Sequence, residues 1–60
     1  MKFREIEKIV LADGWRWCRT CGSHYIYRHT TKKGSVTIPY HKGDLSPKII
    51  NSILKQAGLK

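Results

Sequence analysis

The sequence predicts a small α+β domain with its elements in the order αβββα. Apolar residues recur with helical spacing near both ends of the 60-residue chain. Between them lies a stretch of aromatic and β-branched residues, which two glycine-containing turns divide into three segments. A chain of this length builds one small core, so residues 1–60 should form a single domain with its chemistry on an open surface.

The first helix is predicted over residues 3–13. Its apolar stripe consists of Phe3, Ile6 and Val10, and Ile9 widens it. Gly14 supplies the left-handed residue that ends the helix, which lets Trp15 fold back onto Val10. The start is poorly marked, because a lysine at position 2 cannot act as a side-chain cap.

Three strands are predicted in the middle of the chain. They cover residues 15–20, 24–29 and 35–40. Gly22-Ser23 forms the first turn and residues 30–34 form the second. Pro39 has no N–H to donate, so the third strand ends there or lies at an edge of the sheet. Alternation alone leaves open which face of each strand is buried.

The second helix is predicted over residues 47–57. Ser46 suits the N-cap, Pro47 suits the first helical position, and Gly58 ends the helix. Because each helix has a single apolar stripe, both should cover the same face of a three-stranded antiparallel sheet and leave the other face in water.

The charge of the chain indicates an anionic partner. Twelve Lys and Arg residues against four Asp and Glu residues give a net charge of +8, which favours nucleic acid because each neutralised phosphate releases counterions. Solubility or an acidic protein partner is the alternative. The candidate phosphate ligands are Arg28, Lys32, Lys33, Lys42 and Lys48. No apolar run approaches the roughly 20 residues of a membrane span, so we expect a cytoplasmic protein without a membrane partner.

Two classes of metal chemistry have little support in the sequence. The four carboxylates (Glu5, Glu7, Asp13 and Asp44) show no converging pair of the kind that magnesium-dependent nucleases and glycosidases need. Cys18 and Cys21 form a C-x-x-C motif near two histidines, His24 and His29, which are zinc-ligand types. Alternation should send the two cysteines to opposite faces of a hairpin, and in the cytoplasm they should stay reduced.

His24 is the candidate catalytic residue. It follows Gly22 and Ser23, which allow close approach of a ligand and offer two main-chain N–H groups and a hydroxyl. Imidazole has an ordinary pKa that suits proton transfer near neutral pH. RNA carries its own nucleophile, the 2′-hydroxyl, so one positioned histidine with nearby cations can cleave it without a metal or another cofactor.

The chain resembles the HicA toxin family, the small messenger-RNA interferases of toxin–antitoxin pairs. The residues that carry the resemblance are Asp13-Gly14-Trp15, Arg19, Gly22-Ser23-His24, Tyr27, His29, Val36-Thr37-Ile38-Pro39-Tyr40-His41 and the ending Ile53 to Leu59. The resemblance implies a double-stranded-RNA-binding-domain-like fold and endoribonuclease activity that depends on the histidine matching His24. It also implies a HicB-type antitoxin that covers this histidine and through which the pair binds operator DNA.

Two other functions remain open from the residues alone. The first is a non-catalytic module that grips duplex RNA by its shape, suggested by the charge and the αβββα order. The second is a small zinc-stabilised adaptor that uses Cys18 and Cys21. Cleavage of RNA would separate the first from a ribonuclease, and metal content would test the second.

Overall fold

A computed structural model describes residues 1–60 and confirms the predicted order of elements. The helices and strands are α1 (Phe3–Ala12), β1 (Arg16–Cys21), β2 (His24–Arg28), β3 (Ser35–Pro39) and α2 (Pro47–Gln56). Each bound lies within one residue of its predicted position. Neither helix is long and apolar enough to cross a membrane.

The three strands form one antiparallel sheet in the order β1-β2-β3, so β2 is the central strand. A two-residue turn joins β1 to β2. Its first residue, Gly22, has a φ of 57°, while Ser23 keeps a negative φ, which is the pattern of a type II′ turn. Pro39 ends β3 at an edge of the sheet, as its missing N–H predicts.

The core lies between the two helices and one face of the sheet, as predicted. Ten apolar residues are buried there: Phe3, Ile6, Val10, Trp15, Tyr27, Val36, Ile38, Leu45, Ile53 and Ala57. On the central strand this face carries Tyr27, which is paired with Val36 of β3. The opposite face of the sheet carries His24 and Arg28, both exposed.

Backbone hydrogen bonds explain where α1 begins and ends. At its end, the Trp15 N–H donates to the Val10 carbonyl at 3.1 Å, and the Gly14 N–H donates to the Leu11 carbonyl at 3.0 Å. These two bonds make the predicted glycine-terminated ending. At its start, the Lys2 main-chain N–H donates to the Glu5 carboxylate at 2.7 Å, which holds the first turn without a side-chain cap from Lys2.

A bulge in β1 removes the basis of one sequence expectation, the placement of Cys18 and Cys21 by strict alternation. Trp17 pairs with Tyr27 and Arg19 pairs with Ile26, so Cys18 is an extra residue without a partner of its own on β2. Strict alternation therefore fails at Cys18 and cannot place the two cysteines on opposite faces. Both are exposed free thiols. All of β1 is exposed, because the helices pack mainly against β3.

Candidate active site

His24 is the first residue of the central strand and lies at the turn end of the β1–β2 hairpin. It pairs with Cys21 of β1 and with Pro39 of β3, and its side chain is exposed. Neither nitrogen of its ring has a hydrogen-bond partner within the chain. The imidazole is therefore accessible to a ligand on the face of the sheet that the helices leave uncovered.

The other two histidines have structural partners. The His29 Nε2 lies 2.8 Å from the Asp13 carbonyl oxygen, and its Nδ1 accepts hydrogen bonds from the N–H groups of Thr31 and Lys32 at 3.1 and 3.2 Å. Because Nδ1 is an acceptor, Nε2 carries the proton and donates it to Asp13. His41 accepts the Gly43 N–H on Nδ1 at 3.1 Å. Of the three histidines, His24 alone has both ring nitrogens free.

The turn before His24 supplies unused hydrogen-bond donors. Neither the Gly22 N–H nor the Ser23 N–H donates to another backbone group, and the Ser23 hydroxyl has no partner. A Cβ at position 22 would meet nothing within 4 Å, so the space above Gly22 is open. The Ser23 carbonyl accepts the Tyr40 N–H at 2.6 Å, which ties the turn to the segment after β3. Two adjacent N–H groups of this kind can bind an anionic oxygen.

Arg28 and Arg19 both lie on the uncovered face of the sheet, but at different distances from His24. Arg28 lies four residues along the same strand, about 13 Å away at the usual rise per residue, so it cannot contact a phosphate held at His24. Arg19 of β1 pairs with Ile26, which makes it the diagonal neighbour of His24. Sequence reasoning missed Arg19 as a site residue, although regular pairing from the Gly22-Ser23 turn through Cys21, Thr20 and Arg19 already places it on the face of His24.

The candidate lysines divide between the two ends of the molecule. The Lys32 Nζ donates to the Asp13 carboxylate at 2.5 Å and to the Ala57 carbonyl at 3.0 Å, which joins the C-terminal ends of both helices. Lys33 belongs to the same β2–β3 loop, at the far end of β2 from His24. Lys42 follows β3, and Lys48 lies in the first turn of α2, both at the end where His24 is located. The structure therefore places Lys42 and Lys48, but neither Lys32 nor Lys33, at the end of the molecule that carries His24, and Lys48 belongs to a helix on the other side of the sheet.

Each of the four carboxylates has a partner away from His24. Glu5 accepts the Lys2 N–H, Glu7 accepts the Tyr27 hydroxyl at 2.6 Å, and Asp44 lies 3.8 Å from the terminal ammonium. Asp13 binds Lys32, and this hydrogen bond holds the pKa of its carboxyl below the usual range. No group of three or more His, Cys, Asp or Glu side chains is arranged to hold a metal ion.

Comparison with known protein families matches residues 3–59 to the family described as HicA toxin of bacterial toxin–antitoxin. The match spans both helices and all three strands, and it includes the segment from Gly22 to His24. No curated protein matches the chain.

Proposed function

The chain belongs to the HicA toxin family of bacterial toxin–antitoxin systems, and on that premise we propose that it is an endoribonuclease that cleaves messenger RNA with His24. One observation carries the proposal. His24 is the histidine whose ring has no partner in the chain, and it is exposed on a cationic sheet face beside unused N–H donors. Cleavage of messenger RNA would stop translation, which accounts for toxicity.

The reaction needs one base and a site that binds a phosphate. His24 takes the proton from a ribose 2′-hydroxyl, and the 2′-oxygen attacks the adjacent phosphorus. The bond from phosphorus to the 5′-oxygen of the next nucleotide breaks, and that oxygen takes up a proton. The products are a 2′,3′-cyclic phosphate and a new 5′-hydroxyl end. In the alternative role, His24 is the general acid and donates a proton to the leaving 5′-oxygen.

Donors around His24 can stabilise the negative charge that builds up on phosphorus. The Gly22 and Ser23 N–H groups are fixed by the turn, so they need no rearrangement as the charge develops. Arg19 is the cation whose position on the sheet is nearest to His24 by register. Such fixed donors are worth about 100- to 1,000-fold in rate where they have been removed one at a time.

The remaining cations bind the rest of the RNA chain. Arg28 lies further along the same face, where it can contact a phosphate several nucleotides from the cleaved bond. Lys42 and Lys48 are exposed at the His24 end. The net charge of +8 raises the rate of encounter with a polyanion. These residues contribute to binding, and the chemistry stays with the Gly22–His24 segment.

The partner expected from the family is a HicB-type antitoxin that covers His24. The uncovered sheet face is open to such a protein, and the exposed edge strand β1 with Trp17, 57% of whose surface is accessible, adjoins it. An antitoxin that masks this face needs acidic groups opposite its arginines. Operator DNA would be bound through the antitoxin.

Cleavage of a defined RNA by purified protein tests the proposal. We expect cleavage that continues in EDTA and yields a 2′,3′-cyclic phosphate, and its loss in His24→Ala. Because the His24 side chain is exposed and its ring makes no hydrogen bond, the variant should unfold at the same temperature as the unaltered protein. An RNA with a single 2′-deoxyribose at the cleaved position is the matched control and should stay intact.

Two results would contradict this function. Equal cleavage by His24→Ala would remove His24 from the chemistry, and loss of cleavage in EDTA would indicate a metal mechanism. Salt-sensitive binding of RNA that remains intact after long incubation would instead favour the non-catalytic duplex-binding module.

A further inference from the structure

A cleft beside the His24 hairpin lies between the start of α1 and the segment that follows β3. It has a volume of about 200 Å³. Its lining residues are Lys2, Phe3, Arg4, Tyr40, His41 and Lys42. Two of these are aromatic and three are cationic at neutral pH, so the cleft combines a flat apolar surface with positive charge.

Tyr40 forms the accessible aromatic surface of the cleft. Tyr40 is 46% exposed, and the Phe3 ring packs edge-on against its ring with the ring centres 5.2 Å apart. The centre of the Tyr25 ring lies 6.0 Å from that of Tyr40 and 4.9 Å from that of Phe3, so the three rings form one cluster. A ring that is held in place but still exposed loses little entropy when a flat ligand stacks on it, and nucleic-acid bases are flat ligands of this kind.

The positive charges of the cleft are available to an anion. Lys2 and Lys42 make no ion pair or hydrogen bond with their side chains. Arg4 shares its charge with Glu7 at 2.9 Å. His41 uses Nδ1 to accept the Gly43 N–H, which leaves its Nε2 free. Lys2 and Lys42 are therefore the residues able to bind a phosphate here.

Backbone contacts join this cleft to the proposed catalytic residue. Pro39 pairs with His24 across the sheet, and the next residue, Tyr40, donates its N–H to the carbonyl of Ser23. The stacking surface thus begins directly beside the Gly22–His24 turn. The Tyr40 ring packs on Phe3, on the helix side of the sheet, whereas His24 lies on the uncovered face. An RNA strand that reaches both must therefore pass around the Gly22-Ser23 end of the sheet.

We propose that this cleft binds one nucleotide of the single-stranded RNA that is cleaved at His24, with its base on Tyr40 and its phosphate between Lys2 and Lys42. The inference rests on the proposed ribonuclease function and defines its substrate class. A base within a duplex is stacked on its neighbours and cannot offer its face to Tyr40. The cleft is also smaller than the roughly 300 Å³ at which ordinary ligand pockets begin, which fits part of one nucleotide.

Binding measured separately from cleavage tests the inference. Fluorescence anisotropy with the His24→Ala protein compares a labelled single-stranded RNA, the same RNA with one abasic nucleotide at successive positions, and a duplex of the same sequence. We expect the single strand to bind more tightly than the duplex. We also expect one abasic position to weaken binding by about fivefold or more, the usual lower range for a stacked base.

Substitutions in the cleft should reproduce the abasic effect. Tyr40→Leu keeps the packing on Phe3 but removes the aromatic face, so it should weaken binding by a similar factor and make the abasic position harmless. Tyr40→Phe should bind as before. Lys42→Gln should reduce the slope of the logarithm of the binding constant against the logarithm of the salt concentration by about 1, the value for one lost phosphate contact. The charge-matched control is Lys55→Gln, because Lys55 lies in the last turn of α2, at the other end of the molecule.

The outcomes separate this inference from the ribonuclease function. If Tyr40→Leu and every abasic RNA bind as tightly as their parents, the nucleotide cleft is wrong, whereas His24-dependent cleavage would still stand. Tighter binding of the duplex would also overturn it. If no RNA is cleaved but binding of the single strand depends on Tyr40, the cleft stands and the ribonuclease function falls. The abasic series uses unaltered Tyr40, so it decides the question even if Tyr40→Leu fails to fold.

Discussion

Gly14 lies so close to His29 that a Cβ at position 14 would be 2.6 Å from the His29 Nε2. Gly14 also has a φ of 105°, in the region that L-residues rarely adopt. Gly14→Ala should therefore destabilise the protein by about 2–4 kcal/mol, from the backbone conformation and the displaced ring together. The free energy of unfolding in urea measures the loss, which is large for a domain of this size.

Gly34 provides the control for that substitution. It has a φ of 81°, but a Cβ there would meet nothing within 4 Å. Gly34→Ala should lose only the backbone contribution, about 1–2 kcal/mol. Equal losses at the two positions would show that the contact between Gly14 and His29 has no energetic weight.

The buried Tyr27 hydroxyl donates to the Glu7 carboxylate at 2.6 Å and joins the central strand to α1. Burial, and then the hydrogen bond to Glu7, raises the pKa of the phenol, so it remains a donor throughout the physiological range. Tyr27→Phe should cost about 1.5 kcal/mol or more, because the carboxylate loses its partner. Tyr25→Phe is the control, since the Tyr25 hydroxyl makes no hydrogen bond in the structure. Equal urea midpoints for the two variants would contradict a stabilising role for the bond to Glu7.

The ion pair between Asp13 and Lys32 should make stability sensitive to acid. The hydrogen bond from Lys32 lowers the pKa of the Asp13 carboxyl in the folded protein. Because this pKa is lowered on folding, the ionised carboxyl stabilises the fold at any pH above the ordinary aspartate pKa of about 3.9. The fold loses this stabilisation as the pH falls through the lowered pKa of the folded protein. The contribution of this pair to the unfolding temperature should therefore stay nearly constant down to about pH 4 and decrease below it. Asp13→Asn should make the unfolding temperature less dependent on pH below about pH 4. If that dependence is the same in the variant, the pair is not its cause.

Most of the fold could be predicted because local chemistry marks it. Gly14, Gly58 and Ser46-Pro47 mark helix ends through backbone geometry that does not depend on the rest of the chain. The bulge at Cys18 could not be predicted, since it depends on the fit between two strands and has no local residue signature. Its consequence is specific: Trp17, and not Cys18, is the residue of β1 that pairs with Tyr27.

The candidate site could be predicted only where its residues are adjacent in the chain. Gly22, Ser23 and His24 form one turn, so the sequence alone places them together. Lys32 and Lys42 look alike in the sequence, yet one binds Asp13 and the other lines the cleft at the His24 end. Their difference comes from tertiary packing, which composition and spacing do not encode.

Arg19 and Arg28 should affect cleavage in different ways if the register of the sheet decides their roles. Arg19 is the diagonal neighbour of His24, so Arg19→Gln should lower kcat by about tenfold or more through lost stabilisation of the transition state. Arg28 lies at the far end of β2, so Arg28→Gln should raise KM and reduce the salt dependence of binding while kcat stays within about twofold. Steady-state kinetics at two salt concentrations measures both. Because each variant removes one positive charge, a loss of overall charge alone would change the two alike, and equal effects on kcat would contradict a catalytic position for Arg19.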